Sequence, residues 1–287
     1  MRFSNGGLTM AWGNIVELDI AQNQALLTRV SALEVSFNVK RSITLSDNSA
    51  EIMVYNASEK TRNNILQPGN NLILKAGQED EKNIASIFIG SIVEATTEKN
   101  GVDWETKIIA GDIASNKEAP DTKYFQNSYK KGSPLIQVIN DFAAALRIPV
   151  FGIENVTRIL NNGFTFVGTL NALRRDLLDL LRQDGLIMYF DNSQIVIYQD
   201  GNKDSKFGFI VLSKRTGLIG NAQSKVDVKE GEKKKIKFRS LLNPKFQPNA
   251  LVQLESQNVN GIFIVESVNH IGDNFGGDFF SDVEATE

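Results

Sequence analysis

Cysteine is absent from all 287 residues. That excludes disulfide staples, thiol nucleophiles and thiolate metal sites, and a chain of this length can bury a core without them. Histidine occurs once, as His270, so a multi-histidine metal site within one chain is excluded as well. No apolar run approaches the ~20 residues of a membrane-spanning helix. The opening Met1-Arg2-Phe3-Ser4-Asn5-Gly6-Gly7 lacks the apolar core of a secretory signal. Neither sign of charge dominates: 31 basic against 34 acidic side chains leave a net charge of −3. Such a balance gives no footprint for nucleic acid or an anionic membrane surface. The expected setting is the cytoplasm, unless the chain leaves as part of an assembly. What remains is an ordinary globular composition, 41% hydrophobic and 23% charged, with length for about two domains of ~150 residues each.

The sequence does contain one stretch twice. Gln67-Pro68-Gly69-Asn70-Asn71-Leu72-Ile73-Leu74 is matched by Gln247-Pro248-Asn249-Ala250-Leu251-Val252-Gln253-Leu254. Ile87-Phe88-Ile89-Gly90 with Val93 is matched by Ile262-Phe263-Ile264-Val265 with Val268. Each copy then reaches a glycine turn and an Asp-aromatic pair opening a last strand, Asp103-Trp104 and Asp278-Phe279. Pro68 to Asp103 spans 35 positions and Pro248 to Asp278 spans 30. The polar run Gln78-Glu79-Asp80-Glu81-Lys82-Asn83 accounts for the difference as a longer hairpin tip. The reading is one β-unit used twice.

The rest of the chain fits around this repeat. A first strand is expected over 14–22. Leu33, Val35, Phe37 and Val39 alternate with polar residues, the period of a half-buried strand. Asp47-Asn48-Ser49 is a turn, and Glu51 to Tyr55 returns. Ser58 is placed to cap a short helix that Pro68 prevents from continuing. Residues 114–131, with Pro120 and Asp121, read as a linker. Ser133-Pro134 reads as an N-cap and first helical position, followed by an apolar helix face through Leu146 that Pro149 ends. A strand over 164–167 leads to a second helix capped by Thr169 and closed by Gly185. A hairpin follows, turning at Asp191-Asn192-Ser193. After the polar linker 200–205 come a strand over 209–212, a loop over 216–220, and a hairpin in which Val226 and Val228 pair with Ile236 and Phe238 around Glu230-Gly231. Leu241-Leu242-Asn243-Pro244 takes the place of the short helix. The expected fold class is mainly β (α+β overall), with two similar antiparallel β-barrel-like tube domains flanking a small α/β module. The expected boundaries are 1–112, 113–204 and 205–287.

No catalytic constellation emerges. His270 has no partner defined by spacing, and general-base catalysis needs a positioned one; it reads as structural. Asp273 and Asp278 near it lie among Gly272, Gly276 and Gly277, which signal a turn before a metal. Asp176, Asp179 and Asp184 stand beside Arg174, Arg175 and Arg182 as a solvated helix face. Gly217-Leu218-Ile219-Gly220 is too short for a phosphate loop and lacks its Lys-Ser/Thr ending. Lys229, Lys233, Lys234, Lys235 and Lys237 form a basic hairpin without interleaved aromatics. That makes a poor nucleic-acid platform and a well-protected edge strand. Trp12 and Trp104 read as core or interface aromatics. No catalytic, cofactor-binding or metal-binding residue is nominated, and the chain is expected not to be an enzyme.

Several of these runs resemble the baseplate hub proteins of contractile-tailed phages. They are Phe37-Asn38-Val39-Lys40-Arg41-Ser42, the run from Ile52-Met53-Val54-Tyr55 to Arg62, the run from Phe238-Arg239-Ser240 to Gln247-Pro248, and Gly261-Ile262-Phe263-Ile264-Val265 with Val268, His270 and Gly272-Asp273. The hub parts of contractile bacteriocins and type VI secretion spikes are similar. Tyr198 and the hairpin before it, with Leu170 to Gln183, also look similar to the small β-α-β-β domain at the start of secretins and outer-membrane receptors. The resemblance implies a homotrimer whose three chains present six similar β-domains. Such a hub adapts a hexameric tail tube to a threefold spike. The implied partners are the tube ring and the spike, with the tape measure and other baseplate proteins as further candidates. The implied place is the virion tail baseplate, assembled in the host cytoplasm. No hydrolase or spike extension is expected after the second repeat, a departure from hubs that carry one. The rival readings are a tail-associated cell-wall hydrolase and a carbohydrate-binding or adhesin module.

Overall fold

A computed structural model of the chain describes residues 13–22, 25–43, 48–79, 83–112, 123–201, 203, 205–225 and 234–287. Trp12, Asp47, residues 80–82 of the first hairpin tip, Pro120, Asp121, and Val226, Val228, Lys229, Glu230, Gly231 and Lys233 of the basic hairpin lie outside the described residues.

The first unit contains β1 (Asn14–Gln22), β2 (Ala25–Val30), β3 (Val35–Ser42), β4 (Ser49–Tyr55), α1 (Glu59–Ile65), β5 (Asn71–Gln78), β6 (Ala85–Asn100) and β7 (Asp103–Gly111). The middle module contains β8 (Tyr124–Tyr129), α2 (Leu135–Leu146), β9 (Val150–Phe151), β10 (Phe164–Thr169), α3 (Leu170–Gln183), β11 (Leu186–Asp191) and β12 (Gln194–Gln199). The second unit contains β13 (Phe209–Ser213), β14 (Leu218–Lys225), β15 (Lys235–Leu241), β16 (Leu251–Glu255), β17 (Asn260–Asp273) and β18 (Phe279–Thr286).

Strand alternation sets the cores. Val35, Phe37 and Val39 of β3 are buried while Ser36, Asn38 and Lys40 turn outward, as the two-residue period demands. α1 begins where expected, with the Ser58 Oγ accepting from the Thr61 N–H at 3.2 Å. α3 is capped in the same way by Thr169 at 3.3 Å and buries Leu170, Leu173, Leu177, Leu178 and Leu181. α2 differs by one residue: Pro134, not Ser133, stands at the cap, and the helix ends at left-handed Arg147 before Pro149 is reached. At the β11–β12 turn Asn192 and Ser193 both have positive φ, 50° and 62°, the primed turn whose twist suits a two-residue hairpin.

Three expectations about the strands are corrected. Residues 124–129 are not linker but β8, paired antiparallel with β10; Phe125 and Tyr129 pack on the module core between polar residues, a strand pattern in a polar stretch. The loop over 216–220 ends sooner, because Leu218 already pairs with Ser240 and β14 carries Gly220 inside it. The strand pairs are also not all antiparallel. β13 runs parallel to β16, and β9 parallel to β12.

One 13-stranded sheet passes through both units. Its order within the first unit is β3-β4-β7-β6-β5-β1-β2, and within the second β14-β15-β18-β17-β16-β13; β2 has no counterpart, and β1 runs antiparallel to β5 where β13 runs parallel to β16. Over six strands the order is the same, so the duplication is structural. Gly69 and Asn249 share positive φ, 77° and 66°. Leu72 and Leu74 stand where Val252 and Leu254 stand, all four fully buried. The Ile92 N–H reaches the Asn70 O and the Val265 N–H reaches the Ala250 O, both at 2.9 Å. Bulges interrupt β6 between Ile92 and Glu94 and β17 between Val265 and Ser267. These landmarks correct the register read from the sequence. Ile262 to Val265 matches Ile89 to Ile92, and Val268 matches Ala95. The cause is the hairpin tip: Asn100 pairs directly with Asp103, whereas four residues separate Asp273 from its partner Asp278. A slip of two residues keeps every side chain on its face, so alternation alone cannot reveal it.

Candidate assembly interface

β17 joins the two units. Its first half pairs with β16; its second half, from Ser267 to Asp273, pairs with β3 on the same edge, while β18 holds the other edge. Asn274 pins the joint at its tip. Its Oδ1 accepts from the Val35 N–H at 2.7 Å and its Nδ2 donates to the Leu33 O at 2.9 Å. Phe37 meets Phe279 edge to face at 6.2 Å. A Cβ at Gly272 would lie 2.4 Å from the Phe37 ring, so close approach requires glycine here.

His270 lies at the centre of this joint, fully buried. Its Nε2 is 3.1 Å from the Phe246 carbonyl and must donate there, so its Nδ1 accepts from the Ser281 hydroxyl at 2.8 Å. Burial, helped by the charge of Arg41, pushes its pKa down to about 3. It is a neutral cross-strand tie. The matching residues of the first unit, Thr97 and Thr106, pair at 3.2 Å.

The middle module is locked to the first unit by its hairpin tip. Arg41, on the buried face of β3, gives Asp191 two hydrogen bonds of 2.9 and 2.6 Å. Asn48 donates to the Phe190 O and to Asp191 at 3.0 and 3.1 Å. The Ile89 N–H reaches Asn192 Oδ1 at 2.9 Å, and the Ser193 N–H reaches Asp112 Oδ1 at 2.8 Å. Tyr189 donates to the Pro248 O at 3.3 Å, so the module touches both units. Sequence reading missed this lock. Its signal was present: Arg41 continues the buried series Val35, Phe37, Val39.

Of the edges that carry no strand partner among the described residues, which include those of β2 and β13, two match the strands of the joint between β17 and β3. After its bulge β6 pairs only with β7, and β14 pairs only with β15. Glu94, Thr96, Glu98 and Lys99 on β6 are exposed, where the matching stretch of β17 is covered by β3.

At the joint the face of the sheet away from the cores is mainly polar. Across the joint it forms a trough of about 930 Å³ lined by Lys40, Asn269, Lys237, Arg239, Asp282 and Glu284. Arg239 binds Asp282 at 2.7 Å, Lys237 binds Glu284, and Lys107 binds Glu51 at 2.5 Å. β15 is therefore not a protected edge strand as expected. It lies between β14 and β18, and Lys235 and Lys237 face Glu266 and Glu284. Elsewhere Asp184 binds Arg158 at 2.6 Å, Asp179 stands 3.8 Å from Arg182, and Trp104 lies under the Arg62 guanidinium at 3.9 Å. Among the described residues no cluster of acidic or histidine side chains is arranged to hold a metal, and no helix is long and apolar enough to cross a membrane.

No family model matches the sequence, and no curated protein is a close enough relative to match. Solved structures do match over almost the whole chain. A tail protein from Neisseria meningitidis MC58 superposes with a TM-score of 0.67 over 96% of this chain and 97% of its own, at 10% identity. This chain has the fold of phage tail proteins. The 43 kDa tail protein of prophage MuSo2 from Shewanella oneidensis shares the tail-protein fold with a TM-score of 0.63, 10% identity and coverage of 94% and 96%. So does the E. coli c3393 protein, a type VI secretion component similar to the T4 bacteriophage tail proteins gp27 and gp5, with a TM-score of 0.60, 12% identity and coverage of 94% and 75%. These neighbours agree with the baseplate-hub resemblance seen in the sequence.

Proposed function

We propose that this protein is a non-enzymatic structural hub of a phage or phage-like tail baseplate, and that three copies close into a ring of six similar units. The observation that carries the reading is the β17·β3 joint. It already binds the second unit to the first edge to edge. The matching edges, β6 after its bulge and β14, are left for a second copy to join in the same way, and repetition of one joint closes a ring. Three chains then present six similar units to a hexameric tail tube and retain threefold symmetry toward a spike. Tape measure and other baseplate proteins are further partners of such a hub, and the virion tail is its place. The units run over 1–112, 113–204 and 205–287 in this proposal.

The register transfers residue by residue. Ile271 opposes Asn38 in the joint; their matches are Glu98 and Gln223. Both are exposed, and directly opposed residues hold their Cβ atoms about 4.5–5.5 Å apart. Glu98→Cys with Gln223→Cys in this cysteine-free chain should give a covalent trimer on mild oxidation. Each single variant should not. A chain that trimerises without forming this link, or never trimerises, contradicts the proposal.

A further inference from the structure

The middle module carries a concavity of its own, remote from the joint. The chain between β9 and β10 folds back along the start of α2. The Leu135 N–H donates to the Arg158 O, the Leu160 N–H to the Ser133 O and the Gly132 N–H to the Leu160 O, each at 2.9 Å. Ile159 forms a bridge with Pro134. Gly163, at φ +74°, closes the loop, and a Cβ there would lie 2.6 Å from the Tyr129 O. This fixed segment and the end of α3 enclose a groove of about 820 Å³, the size of a small-ligand site. The lock to the first unit is at the other end of the module. Asp184 precedes β11 and Asn192 follows it, so six residues of strand, about 20 Å, lie between groove and lock.

Of the side chains lining the groove only Arg158 and Asp184 are charged, and they neutralise each other. Arg158 gives Asp184 two hydrogen bonds of 2.7 and 2.6 Å and reaches Gln183 at 3.1 Å. That leaves no free charge for an ionic ligand, and one carboxylate is too few to hold a cation. The polar groups left over belong to Thr157, Asn161 and Asn162. All three residues are exposed, and none makes a side-chain hydrogen bond among the described residues. Each can donate and accept at once. Beside them lie apolar surfaces: Ile159, 48% exposed, Leu180, and the ring of Phe164, held nearly parallel to Phe166 at 6.4 Å.

We infer that this groove binds a neutral oligosaccharide. A sugar hydroxyl is donor and acceptor together, and it meets its match in two carboxamides and a hydroxyl of the same double character. The Asp184 oxygens, each already holding one Arg158 hydrogen bond, keep lone pairs for further hydroxyls. The C–H face of a pyranose ring suits Ile159, Leu180 and Phe164. Polypeptide recognition draws on a vacant strand edge, an apolar groove or a cluster of charge; this groove is lined by side chains, mixed in polarity and neutral in sum. The inference stands apart from the hub reading, because it concerns the end of the module that the two units leave open.

The test is calorimetric titration of the full chain with two neutral probes, the tetramers of N-acetylglucosamine and of glucose, and with an alanine–serine octapeptide. At least one tetrasaccharide should bind saturably, with a Kd of about 1 mM or tighter. That Kd should agree within twofold at about 0.05 and about 0.5 M salt, because no charge is engaged. Asn161→Ala with Asn162→Ala alters exposed positions and should weaken the binding at least tenfold without moving the thermal midpoint. Gln126→Ala, exposed on β8 outside the groove, should change it less than twofold. Binding by neither tetrasaccharide overturns the inference, as does sugar binding that the double variant leaves unchanged. Octapeptide binding that the double variant abolishes, with no sugar bound, overturns it by assigning the groove to polypeptide. None of these outcomes alters the trimer mass, so the hub reading stands or falls separately.

Discussion

Buried polar chemistry is concentrated in the Arg41–Asp191 pair that locks the middle module and in His270 of the joint. Arg41 and Asp191 are a buried ion pair whose geometry is bidentate. Removing one partner leaves the other charged and dry, which typically costs about 3–5 kcal/mol. Arg41→Met should lower unfolding stability by that amount in urea titrations, and adding Asp191→Asn should restore part of it. A loss under ~1 kcal/mol would show that the lock is not needed. His270 makes the fold sensitive to acid. Its folded-state pKa is about 3 against an ordinary value of 6.5, so the unfolded chain takes up a proton the folded chain refuses. Its contribution is complete above about pH 6.5 and is lost as pH falls toward 3. Between pH 7.5 and 4.5 the wild type should lose roughly 2–3 kcal/mol more stability than His270→Gln. Equal losses would contradict the neutral, buried state described for this ring.

At the scale of elements, the joint is a matter of register. The Cys pair at 98 and 223 tests it because a shifted pair, Glu98→Cys with Ser224→Cys, turns one side chain to the opposite face and should not link. Register is also where the sequence was least legible. Caps at Ser58 and Thr169, the turn at Asn192-Ser193, and most strands were readable, because each is fixed by local chemistry. The two-residue slip between β6 and β17 was not, since it preserves alternation. β8 was hidden in a polar stretch, and β2 and β9 gave no pattern of their own. The lysines of β15 suggested an edge, because charge compensation by Glu266 and Glu284 comes from strands distant in sequence. Arg41 could have been found as a charge continuing an apolar series; its partner Asp191, 150 positions away, could not.

At the scale of the molecule, the duplication was the most informative thing in the sequence, and it explains the architecture. One β-unit, used twice and joined edge to edge, builds a sheet with two edges that are unpaired among the described residues and match its own internal joint. The cores are separate, yet Leu242 and Phe279 of the second unit reach into the core of the first, so the two units are set at a fixed angle. A fixed angle repeated by the same joint is what a closed ring requires. Light scattering on the full chain across a concentration series, with and without the spike, with negative-stain images of the same samples, is the most direct measurement. The account predicts a trimer of about 95 kDa, three times the 31.8 kDa chain, seen as a six-lobed ring. A chain that remains monomeric even with the spike present would contradict it.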